Sequence, residues 1–310
     1  MIKLLLIKNI TDLNIAVSYE PESRVSEISS SIFVLILSLC QRLMHLNLCQ
    51  LFPDRHTSIS ICKLPLTGCM SSTLTKLKIN VETFNDCFYL LLGNLESLST
   101  LIIEVKLILL SLARINNTNK LPELKCFSLA SIQFTSHYEN QIISLLRRMI
   151  NLEELTLCLL TMRTHSTYID SIQLHDQMLI YISRLNKFTF SINTDVINEN
   201  IKIDLPSSED IQHSFIGKEY KQVGSWIHYR SKDNAGISHI YSIPYQFEYF
   251  TYLSSSFQGG MFDTVRNLAM SDMHPLEHDL FKLVSQSFLL LKALHINNYQ
   301  PQRKISNIPR

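Results

Sequence analysis

The chain is poor in the residues that build several familiar kinds of site. Only 7 of its 310 residues are glycine, and no Gly-rich loop able to cradle a phosphate is present. An excess of one charge is also missing. Lys and Arg number 28 against 27 Asp and Glu, leaving a formal net charge of +1. With no basic half, neither nucleic acid nor an anionic membrane is indicated as a partner. The seven cysteines (Cys40, Cys49, Cys62, Cys69, Cys87, Cys126 and Cys158) include no Cys-x-x-Cys pair. Their odd number and loose spacing argue against a disulfide framework or zinc module. Reduced, mostly buried thiols in the cytosol or nucleus are the reading. The apolar run "IFVLILSLC" (32–40) falls well short of the roughly 20 residues of a spanning helix, so it reads as a core segment. Sequons at Asn9 and Asn116 have no signal peptide beside them and carry little weight.

What is present is aliphatic and folded, at 46% hydrophobic residues. The spacing Leu-x-x-Leu-x-Leu, with Ile, Val, Met or Phe allowed, recurs at Leu43-Leu46-Leu48, Leu74-Leu77-Ile79, Leu98-Leu101-Ile103 and Leu124-Phe127-Leu129. It returns at Leu152-Leu155-Leu157, Leu185-Phe188-Phe190, Val265-Leu268-Met270 and Leu291-Leu294-Ile296. Roughly one site in 25 matches by chance, so on the order of a dozen hits are expected from composition alone. Order carries more weight than the triplet. The starts advance by about 24 to 33 residues, apart from one gap of about 80. Most follow a helix-like stretch: "FNDCFYLLLGNL" (84–95), "ENQIISLLRRM" (139–149), "HDQMLIYISR" (175–184) and "EHDLFKLVSQSF" (277–288).

The stretches "SSTLTKLKI", "NLEELTL" and "SQSFLLLKALHI" resemble repeats of the F-box/leucine-rich-repeat protein family, over about residues 36–299. The resemblance implies a curved α/β leucine-rich-repeat solenoid with a parallel concave sheet and convex helices, occupying 1–310 as a single domain. A Leu-Pro-x-Glu opening of an F-box is absent near Met1, so the chain reads as a partial member without that module. The inward Asn of regular repeats is also nearly absent, with only Asn193 in place after Phe190; irregular turns follow.

In a strand the residues between the apolar positions point to the opposite face. That alternation places His45, Asn47, Lys76, Lys78, Glu154, Thr156, Lys187, Asn267 and His295 on the concave side. Taken singly, each is more simply a solvated strand residue; together they form the candidate protein-binding surface, because solenoids dock partners there. The long gap holds a helix-like "SSEDIQHSF" (207–215) and an inserted β-hairpin region at about 217–243, turning near Asn234 to Gly236. A further helix is expected over "YQFEYFTYLSSSF" (245–257). Aromatics concentrate here, and Trp226, Tyr229 and Arg230 are candidate interface hot spots, although packing of the hairpin is the commoner use of such rings.

Catalytic constellations are weak. "SDMHPLEHD" (271–279) sets His274 and His278 four apart, but Pro275 opens the helix and leaves His274 outside it. Glu153 and Glu154 alternate faces and cannot act as a pair. No catalytic residue, metal site or cofactor is expected. The resulting reading is a non-catalytic protein-binding module. The resemblance makes it the substrate-recognition region of a ubiquitin-ligase subunit, whose adaptor docks only where an F-box lies upstream. A stand-alone leucine-rich scaffold is the alternative, and a metal-dependent hydrolase a remote one.

Overall fold

Each of the eight apolar triplets opens a strand, one residue before its middle apolar position. The computed structural model describes residues 9–16, 25–50, 58–62, 71–92, 95–110, 121–164, 166–197, 205–216, 222–230, 235–272 and 276–298. The chain divides into two compact units, 1–161 with 173–188, and 162–172 with 189–310.

The first unit begins with β1 (Asp12–Ala16), α1 (Val25–Leu39), β2 (His45–Gln50), β3 (Lys76–Thr83) and α2 (Phe84–Leu92). It continues through β4 (Thr100–Leu107), β5 (Cys126–Thr135), a π-helical turn (Tyr138–Ile143), α3 (Ser144–Leu146) and β6 (Glu154–Thr164). Strands β1 to β6 pair in parallel with their apolar positions in register. Leu46, Leu77, Leu101, Phe127 and Leu155 form one buried row across β2 to β6, none more than 2% exposed. Burying each such side chain contributes about 1.5–3 kcal/mol, which is why the register is so regular. Helix α1 packs Phe33, Ile36, Leu37 and Cys40 inward at helical spacing. The α2 start is fixed by Asp86, which is fully buried. Its carboxylate accepts the Thr83 N–H and hydroxyl at 2.8 and 2.7 Å, and the N–H groups of Ile61 and Cys62 at 2.6 and 2.8 Å. That arrangement caps the helix and ties down the preceding loop. At the π-helical turn, the Ser144 hydroxyl donates to the Glu139 carbonyl five residues back, at 3.3 Å.

Helix α4 (Ser171–Gln177) and a 3-10 turn (Leu179–Tyr181) precede β7 (Lys187–Ile197). The second unit then runs α5 (Ser208–Ser214), β8 (Val223–Arg230), β9 (Ala235–Ser242), β10 (Tyr249–Leu253), β11 (Asn267–Asp272), α6 (His278–Ser287) and β12 (Ala293–Asn298). Helix α5 starts with a full capping box between Ser207 and Asp210, and hydrogen bonds from the Ser207 backbone N–H and hydroxyl hold the Asp210 carboxyl below its usual range. Strand β9 is antiparallel to both β7 and β8, whereas β10, β11 and β12 form a separate three-stranded parallel sheet.

The curved leucine-rich-repeat solenoid with convex helices is therefore corrected. The fold is mixed α/β, with a nine-stranded, mostly parallel sheet of order β1-β2-β3-β4-β5-β6-β7-β9-β8, and helix makes up 24% of it. Two physical causes are visible. A convex layer needs a helix after every strand, yet the connection between β10 and β11, described throughout, holds none. The β8–β9 hairpin also reverses strand direction, so the parallel progression ends at β7. The helix expected over 245–257 is corrected as well. Its "YFTYL" core is strand β10, as suits a stretch of aromatics and a β-branched Thr. A register shift between Phe250 and Leu253 accompanies Tyr252 at φ 61°. Among the described residues no helix is long and apolar enough to cross a membrane.

Candidate functional site

In the first unit the register builds polar rows opposite the buried leucines. Asp12, His45, Lys76, Thr100, Cys126 and Glu154 occupy equivalent positions on β1 to β6. A second row runs Asn14, Asn47, Lys78, Ile102, Ser128 and Thr156. His45, Lys76 and Glu154 are exposed, and Asn47, Lys78 and Thr156 partly so. Ion pairs close both ends of the first row. His45 Nδ1 bonds the Asp12 carboxylate, and Lys187 Nζ lies 3.2 Å from Glu154 Oε2. The His45 hydrogen bond, followed by that from Thr11, holds the Asp12 carboxyl below its usual range. Between those ends Lys76 and Lys78 form no ion pair among the described residues. Deeper along the same face, Cys49 Sγ contacts Asn80 Oδ1 at 3.0 Å, and burial pushes its thiol up to about 12.

The other two sequence-predicted positions belong to the three-stranded sheet of the second unit. Asn267 opens β11, part-exposed, and His295 is exposed on β12.

The centre of the second unit is an aromatic cluster around Phe250, whose ring lies 4.7–5.9 Å from those of His239, Tyr245, Phe262, Phe288 and Tyr241. Trp226 sits directly opposite His239 in the hairpin register. Rather than standing exposed as an interface residue, it is 6% exposed and packed into this cluster. The side chains of Tyr229 and Arg230 lie outside the described ones.

A directed hydrogen-bond chain runs through the cluster. The Trp226 indole N–H, which can only donate, reaches His239 Nδ1 at 3.2 Å. The proton of a neutral imidazole therefore sits on Nε2, which donates to Ser191 Oγ at 2.9 Å. Ser191 passes its own proton toward Tyr245 Oη at 3.1 Å, and Tyr245 donates to the Tyr249 carbonyl at 2.6 Å. Burial pushes His239 down to about 3, because a charged ring has no water or carboxylate to stabilise it there. This polarity is opposite to that of a nucleophilic triad, in which histidine accepts from serine and donates to a carboxylate. This hydrogen-bond chain positions the rings of the cluster.

Beside the cluster opens a cleft of about 950 Å³. Helix α5 supplies one wall through Glu209, Gln212 and His213, which share a helical face, and Ile216 in the turn after it adds to the lining. Trp226, Tyr241, Tyr245 and Phe262 contribute to the lining, and Gln258 to Met261 bound another side. Glycines make the room. Gly224 lies opposite Tyr241 in the register, and a Cβ there would collide with the Tyr241 ring. At Gly260 (φ 153°) a Cβ would come within 2.6 Å of Phe262. The sequence reading missed this site, although a signal existed: five of the seven glycines, Gly217, Gly224, Gly236, Gly259 and Gly260, fall within one aromatic-rich stretch.

His274 lies outside the described residues, and His278 is exposed at the start of α6. Buried Asp272 accepts the Ser255 N–H at 2.6 Å. Among the described residues no group of three or more His, Cys, Asp or Glu could hold a metal ion. Asn193, expected to turn inward, is buried and donates to Thr251 Oγ1 at 3.2 Å. Comparison of the chain with protein-family models, with curated proteins and with solved structures finds no match.

Proposed function

We propose that the protein is a non-catalytic binding module that engages a protein partner through the polar face of the β1–β6 sheet. One observation carries this reading. Parallel sheets are normally covered on both faces, yet here the rows opposite the leucines stay exposed or part-exposed across the strands. The surface is mixed in sign, with Lys76 and Lys78, which form no ion pair among the described residues, at its middle, so it suits a protein surface carrying acidic groups better than a polyanion. The described cysteines are free, Cys40 and Cys87 buried and Cys49, Cys126 and Cys158 part-buried, which fits a reducing compartment such as cytosol or nucleus.

The test is proximity labelling in cells with the natural chain and with the double variant Lys76→Glu/Lys78→Glu. Both lysines point away from the core, so circular dichroism and melting temperature should stay unchanged. The expected result is a set of labelled proteins that loses its main members in the variant. An identical set for both would overturn the reading. Cullin-ligase components among the lost members support the ubiquitin-ligase form of the proposal, and their absence supports the stand-alone interaction protein.

A further inference from the structure

Lys76 and Lys78 stand in line on β3, two residues apart and therefore on the same face, about 6.6 Å from each other along the strand. Neither forms an ion pair or a side-chain hydrogen bond among the described residues. The basic column ends there. Asn80, the next residue on that face, is buried, and Cys49 Sγ donates to its Oδ1 at 3.0 Å. On the flanking strands the pair meets short polar side chains. In register with Lys78, Asn47 Oδ1 accepts the Cys49 N–H at 3.2 Å, which leaves the side-chain amide as a donor. In register with Lys76, the Thr100 hydroxyl is part-exposed and makes no hydrogen bond among the described residues. Carboxylates bound the pair on the same face, Asp12 on one side and Glu104 and Glu154 on the other.

These features select the form of a partner as well as its charge. A run of phosphates would meet the carboxylates beside the lysines, so the site takes two negative groups and not a polyanion. In an extended chain alternate residues point the same way and repeat at the spacing of the lysines, whereas adjacent residues face opposite sides. Such a chain also brings backbone N–H and C=O groups that no helix has satisfied, and the Asn47 amide and Thr100 hydroxyl flank the lysines to bond them. Resting on the sheet-face reading above, we propose that the partner docks as an extended segment lying along β3, with two acidic residues separated by one residue. Their carboxylates meet Lys76 and Lys78. The ligand class is an Asp-x-Asp or Glu-x-Glu stretch of another protein.

The experiment titrates the full chain against short dye-labelled peptides and reads fluorescence anisotropy. One peptide carries Asp-Thr-Asp in a Ser/Thr/Gly background, a second has the same composition with its aspartates adjacent, and a third replaces both by Asn. Saturable binding is expected for Asp-Thr-Asp, roughly three- to tenfold tighter than for either control. Adjacent aspartates in an extended chain present only one carboxylate to the sheet. Added salt should shrink the difference. In Lys76→Glu/Lys78→Glu the order should reverse, with a Lys-Thr-Lys peptide binding and Asp-Thr-Asp not. Equal affinity for the two aspartate isomers, or no saturable binding of Asp-Thr-Asp by the natural chain, would overturn the proposal. Labelled proteins lost in the double variant, together with no preference among the peptides, would keep the sheet face and remove the extended acidic segment. An unchanged set of labelled proteins would remove the face itself.

Discussion

His239 shows how a single residue couples the core to pH. In the unfolded chain its imidazole titrates near 6.5, and in the folded protein near about 3. The unfolded state therefore takes up the proton first as pH falls. The stability tied to the neutral ring is complete above pH 6.5 and is lost as pH drops toward 3. Its slope reaches about 1.4 kcal/mol per pH unit, and the total is on the order of 5 kcal/mol. Urea unfolding between pH 7 and 4 should show this loss. In His239→Gln an amide can still accept from Trp226 and donate to Ser191 but cannot titrate, so the pH dependence should be shallower by about that slope. Equal slopes would mean that the ring is not buried neutral. Nothing near residue 239 in the sequence announces this role, because Trp226 reaches the ring through the β8–β9 hairpin and Ser191 through the β7–β9 pairing. The polar rows of the first unit were legible residue by residue, since alternation along a strand is a local rule.

Among the elements, strand starts were the most legible and chain direction the least. The same spacing also opens β1, as Ile10-Leu13-Ile15, and β10, as Phe247-Phe250-Tyr252. The aromatic version at β10 looks helical because Tyr245, Tyr249 and Tyr252 fall near helical spacing. Tertiary packing decides in favour of the strand: Phe250 enters the ring cluster, and the backbone pairs with β11. Replacing Phe250 with Ala should cost about 3–5 kcal/mol, the usual loss for a buried ring. A helix over 245–257 would put Phe250, Leu253 and Phe257 on one face and leave Thr251 outside it. Hydrogen exchange should instead find protected amides in the β10–β11 ladder, and uniform helical protection across 245–257 would refute the strand.

Across the whole molecule, thiol chemistry reads burial directly. Cys62 is exposed, whereas Cys40 and Cys87 are buried with their thiols pushed up by desolvation. Timed alkylation of the native protein followed by mass spectrometry should modify Cys62 before Cys40 and leave Cys87 unmodified until global unfolding. Early modification of Cys87 would contradict the placement of α2 against β3. Scarce glycine, balanced charge and absent cysteine pairs had already narrowed the molecule to an aliphatic fold with neither a disulfide nor a zinc framework.

By itself the sequence determined where the strands begin and, on β2 to β6, which of their residues are buried, because a period of two and an aliphatic triplet are read within a few residues; on β12 the same triplet leaves Leu294 and Ile296 exposed. Tertiary structure alone decided that the parallel progression stops at β7, that 249–253 is a strand, and that a cleft opens beside the ring cluster. These outcomes depend on pairings between distant residues: His239 against Trp226, Tyr241 against Gly224, Phe250 against Leu268. Local periodicity carries no record of such partners, since the free energy that selects them is gained only when the paired surfaces close.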